Sequence, residues 1–186
     1  MAPLPLGSFS GIGSQSGDDR LVPPGYGSLR QDDVTLTLDV DDAQLKVTPL
    51  SEWVIRLTAP DTWSRLSALA NAHRDRVTRR AGEPVTLFLV SFFSRIPGTA
   101  FRPNDVELVN RGRRHRPLAI SPVTPGWGSE RLEQEEAQVA IYAFTGDVDL
   151  DQSVTVEYDL EASVGWDEIL RRLESERARA LARAEL

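Results

Sequence analysis

Val85 to Phe93 (VTLFLVSFF) is apolar on both of the faces that a β-strand would present. So short a run cannot cross a bilayer, which takes about 18 residues or more. Its β-branched and aromatic side chains instead read as a central strand covered on each side. The rest of the chain has to supply that cover.

The preceding segments offer some of it. Val34, Leu36, Leu38 and Val40 alternate with polar residues, a half-buried strand, and Asp41-Asp42 supplies turn chemistry before Leu45 and Val47. Trp53, Ile55 and Leu57 then read as one face of a third strand, completing a β meander. Pro60-Asp61-Thr62 opens a helix near 62–81, with Trp63, Leu66, Leu69, Ala70 and Val77 at helical spacing. Arg74, Arg76, Arg79 and Arg80 crowd its last turns, where cations complement the dipole, and Gly82 is the expected left-handed stop.

Beyond Phe93 the expected strands are Asn104–Asn110, Arg114–Ser121, Gln138–Phe144 and Ser153–Leu160, separated by Gly, Pro, Asn and Asp clusters. Residues 167–186 read as a C-terminal helix with an apolar stripe of Ile169, Leu170, Leu173, Leu181 and Ala184. The fold class is mainly β: an antiparallel β-sandwich over 31–166 with one inserted helix, then the terminal helix. Residues 1–30 are rich in Gly, Ser and Pro and read as a flexible leader, with Leu21 to Leu29 able to dock as an extended strip.

Charge and composition narrow the function. A net charge of −7 argues against a nucleic-acid binder, which spreads basic residues along one face. With no cysteine, disulfides, thiol nucleophiles and thiolate metal sites are excluded. No apolar run suggests a membrane span, and Met1 to Ser10 lacks the regions of a signal peptide.

Few motifs carry chemistry. Gly13-Ser14-Gln15-Ser16-Gly17 matches G-x-S-x-G, but no apolar strand precedes it and Pro23-Pro24 follows, so it reads as linker. Gly11, Gly13 and Gly17 miss the spacing of a phosphate loop. Asp147, Asp149 and Asp151 alternate as ligands of a hard cation would, yet Gln152 and Tyr158 stand where a calcium loop needs Gly and Glu. An exposed acidic turn is the plainer reading, as for Asp39, Asp41 and Asp42. No metal or other cofactor is expected. His73 and His115 show no zinc spacing and read as surface histidines.

The most functional-looking feature is Arg111-Gly112-Arg113-Arg114-His115-Arg116. Arg111, Arg113, Arg114 and Arg116 on one turn suit a phosphate, a carboxylated polymer or an acidic partner. A solvated hairpin balanced by Asp105 and Glu107 is the alternative. Trp127, in a Pro125-Gly126-Trp127-Gly128 loop, either plugs the end of the sandwich or presents a contact surface.

The pieces VTLFLVSFF, FRPNDVELVNRGRRHRPLAI, EAQVAIYAF and SVTVEYDL resemble an immunoglobulin-like sandwich of bacterial envelope lipoproteins. Gly112 and Pro117 keep the pattern of its central turn, and His115 stands where an aromatic is common. The resemblance spans Val85 to Tyr158. It implies an extracytoplasmic, non-enzymatic binding or structural module, envelope-associated and tethered through the leader, with a lipid anchor on a preceding segment. Its partner would be a protein or an anionic envelope component. The alternatives are a cytoplasmic assembly subunit docking through its C-terminal helix, and a sandwich-fold hydrolase.

Overall fold

The structure is a computed structural model that describes residues 21–185. The Gly13–Gly17 match and the leader through residue 20 lie outside them. Two antiparallel sheets pack face to face. The larger holds β1 (Leu36–Val40), β2 (Ala43–Pro49), β3 (Val85–Ser94), β7 (Ala119–Pro122) and β9 (Ala137–Thr145), in the order β1-β2-β3-β9-β7. The smaller holds β5 (Glu107–Asn110), β6 (Arg113–His115), β10 (Val154–Tyr158) and β11 (Glu161–Val164), in the order β11-β10-β5-β6. A short ladder of β4 (Thr99–Ala100) and β8 (Arg131–Leu132) stands apart.

β3 is central, as its two apolar faces require. It pairs with β2 on one edge and β9 on the other, from Val85 opposite Thr145 to Phe93 opposite Ala137. One face sends Phe88, Val90 and Phe92 into the core between the sheets. The other sends Leu87 and Leu89 against α2 (Pro60–Ala81), whose Leu66, Ala70 and Val77 are buried there. Pro60 occupies the first helical turn, where its missing N–H costs nothing, and Gly82 closes the helix at φ 73°.

Four sequence expectations change. Trp53 to Leu57 is no strand: Glu52–Ile55 is a single helical turn, α1, and β2 runs through Pro49 before it. Arg114–Ser121 is two strands, β6 and β7, in different sheets. Pro117, lacking an N–H, lies between them at the point where the chain leaves one sheet for the other. Val34 belongs to a 3-10 turn, Gln31–Val34, that precedes β1. Of the expected strand Asn104–Asn110 only Glu107–Asn110 pairs as β5, because Pro103–Asp105 forms a 3-10 turn before it.

α3 (Trp166–Ala184) caps one end of the sandwich. Trp166, Ile169, Leu173 and Ala180 are buried, and the Trp166 indole N–H donates to the Leu150 carbonyl at 2.9 Å. Residues 21–30 pack beside it. Val22 is buried, the Leu29 amide donates to the Leu57 carbonyl (3.1 Å), and the Ala59 amide donates to the Leu29 carbonyl (2.8 Å). Gly27 is buried so close to Leu57 and Thr58 that a Cβ would lie 2.5 Å from the Thr58 carbonyl oxygen. Only glycine fits there.

Candidate functional site

Arg111 and Gly112 form a two-residue turn, with φ 52° and 72°, and Asn110 pairs with Arg113 across it. Positive φ at both central residues is the geometry whose twist matches that of a hairpin. Alternation along β6 then divides the arginines between two sides of the sheet.

Arg114 and Arg116 fall on the outer side, where Glu107 holds them. Arg114 Nη1 lies 3.1 Å from Glu107 and 2.5 Å from Glu157, and Arg116 Nε lies 2.7 Å from Glu107. The hydrogen bond from Arg116, opposed by burial and aided by Arg114, holds the Glu107 carboxyl below its usual range. Two arginines on one carboxylate form a satisfied cluster.

Arg113 and His115 fall on the inner side, beside the buried Asn110 and Leu108 that they pair with. β6 is the edge strand, so these side chains pass beyond the core and line an open mouth of about 690 Å³. Its other wall is the loop Gly146, Asp147, Val148 and Asp149. Asn110 fixes that loop: its amide donates to the carbonyls of Asp149 and Ser153 (3.0 Å each) and accepts from the Asp149 amide (2.9 Å). Arg111 is ion-paired with Asp149. Among the described residues, Arg113 is the one arginine of the four with no ion pair.

The three aspartates do not gather around a cation. Asp149 is taken up by Arg111 and by the Asp151 amide (3.0 Å), and no group of three His, Cys, Asp or Glu among the described residues could hold a metal. Trp127 is 6% exposed, packed on Phe101 (5.3 Å between ring centres), Phe92 and Tyr142 (6.0 Å each). It plugs the sandwich and presents no contact surface. His73 Nδ1 lies 2.8 Å from Ser121 Oγ, but Ser121 is fully buried and is no accessible nucleophile. Among the described residues, no helix is long and apolar enough to cross a membrane.

One feature carried no expectation from sequence. Glu176, 2% exposed, accepts from the Ser28 amide (2.9 Å) and hydroxyl (2.8 Å), and pairs with Arg183 (2.5 Å). Its signal was positional: it occupies the apolar stripe between Leu173 and Ala180. No protein-family model matches the chain, and no curated protein or solved structure matches it.

Proposed function

We propose that this chain is a non-enzymatic binding module of the cell envelope whose mouth, walled by Arg113 and His115, receives an anionic group of a partner protein or envelope component. The observation that carries the reading is the inequality of the arginines. Arg111, Arg114 and Arg116 are ion-paired, whereas Arg113 is exposed at the mouth with its guanidinium uncommitted. Asp147 on the opposite wall favours a ligand that carries a hydrogen-bond donor beside its anionic group. The envelope location rests on the lipoprotein resemblance. Two observations weigh against the alternatives: Ile169 and Leu173 of the α3 stripe are buried within the fold, leaving Leu181 as its exposed member, and Ser121 is sealed from solvent.

The test is a titration of isotope-labelled protein with inorganic phosphate and with polyglutamate. Amide shifts should centre on 111–115 and 146–149, be larger at low ionic strength, and weaken in Arg113→Ala but not in Arg114→Ala. Equal weakening in both variants would reduce the mouth to a diffuse charge effect. Fractionation of the source cells tests the location: recovery of the native protein with membranes supports the envelope reading, and recovery in the soluble cytoplasm sinks it.

A further inference from the structure

The two sheets are covered unequally. α2 lies on the outer face of the larger sheet. The outer face of the smaller one is open: Val164 is 83% exposed, Ala162 and Arg114 are exposed, and Val109 and Thr155 are half-buried. Register sorts this face into two rows. Val164, Thr155 and Val109 lie side by side across three strands, and Ala162, Glu157 and Glu107 form the next row. The first row is uncharged over these three strands and ends on β6 in Arg114, and the second carries carboxylates.

At the lip of this face the chain turns through Asp159 and Leu160, with φ 47° and 73°, and Tyr158 pairs with Glu161 across them. Glycine, asparagine and aspartate suit such positions, whereas a branched bulky residue is strained there. Leu160 is nevertheless fully exposed, so no packing within the fold offsets that strain. An apolar side chain held out at a conformational cost is explained by what it meets outside the chain.

We propose that Leu160 and the uncharged row, with the carboxylate row between them, dock a protein partner: a basic amphipathic helix that lies on this sheet as α2 lies on the other. Charge selects that occupant. Five carboxylates surround the surface (Asp105, Glu107, Glu157, Asp159 and Glu161), against three guanidiniums. Arg102 spans Asp105 and Asp159, Arg114 spans Glu107 and Glu157, and Arg116 shares Glu107. The remaining negative field favours a lysine- or arginine-bordered apolar face and repels an anionic lipid surface. This surface and the mouth at Arg113 use opposite sides of the small sheet, so the two can be tested separately.

The probe is a synthetic amphipathic helical peptide with leucines at i, i+3, i+4 and i+7 flanked by lysines, alongside a copy with glutamates in place of the lysines. The lysine peptide should shift the amides of Val109, Thr155, Ala162 and Val164, and the glutamate peptide should not. Leu160→Asn, which suits a left-handed turn, should weaken binding about tenfold or more while keeping or raising the thermal midpoint. Val164→Thr, which retains β-branching, should weaken it less. The proposal is overturned if the lysine peptide does not bind, if both peptides bind alike, or if both variants bind as well as the parent. Binding to vesicles of anionic phospholipid that depends on Leu160 would assign the surface to a membrane and overturn it as well.

Discussion

The carboxylate of Glu176 accepts hydrogen bonds from both the amide and the hydroxyl of Ser28, at 2.9 and 2.8 Å, although the two residues stand 148 positions apart. Arg183 completes the arrangement, reaching Glu176 (2.5 Å) and the Tyr26 carbonyl (2.6 Å). Glu176→Ala leaves the Ser28 amide without its acceptor and Arg183 without its anion. The expected cost is about 2 kcal/mol in denaturant unfolding. Hydrogen exchange should accelerate first at residues 26–29, and unchanged exchange there would show that the strip is held by other contacts.

Gly27→Ala is the sharper probe of the same strip. The added methyl meets backbone of Leu57 and Thr58, which cannot swing aside as a side chain would. Overpacking of this kind costs about 1–3 kcal/mol, and the expected response is release of residues 21–30 to limited proteolysis. Gly25→Ala is the control for strain alone: its φ is 93°, but a Cβ there meets nothing.

Asn110 is the support of the mouth. Asn110→Ala removes three hydrogen bonds to the 149–153 loop and leaves the part-buried groups of Asp149 and Ser153 without that partner, for about 2–3 kcal/mol. Anion binding should fall with it, because Asp149 and Arg111 lose their registration. Asn110→Ala with the loop unmoved, judged by amide shifts at 146–152, would place the support elsewhere.

Stability should depend on pH through His73. Burial first, and then the neighbouring Arg76, lower its pKa from the ordinary 6.5. Just below 6.5 the unfolded chain binds a proton that folded His73 refuses. The associated stability is therefore complete above that value and is lost as pH falls toward the lowered one. Unfolding free energies measured from pH 7.5 to 5 should decline, and His73→Gln should flatten that decline. An identical slope in the variant would assign the effect to other groups.

Residues with one dominant constraint were legible in the sequence. VTLFLVSFF had to be central because both faces are apolar, and α2 was announced by its spacing, by Pro60 and by Gly82. Short or interrupted segments were not. Trp53, Ile55 and Leu57 fit a strand by their i, i+2 spacing, but so brief an apolar run fits a helical turn as well. Pro117 held the clue that Arg114–Ser121 changes sheets. Of the arginine turn, the sequence showed four cations but not their division. That depends on which side of an edge strand each occupies, and on Glu157 arriving from β10. Glu176 is marked locally only by its place in line with Leu173 and Ala180, and nothing local reports its partner Ser28, which comes from the other end of the chain.

The contacts of Ser28 and Tyr26 with α3 also order events in time. On the ribosome the strip emerges among the first described residues and its receiving helix among the last. At roughly 5–20 residues per second the strip waits on the order of ten seconds for Glu176 and Arg183 to be made. Leu29 meets Leu57 and Ala59 early, so the strip would be held first at that end, and its Ser28 and Tyr26 contacts would close only after α3 is made.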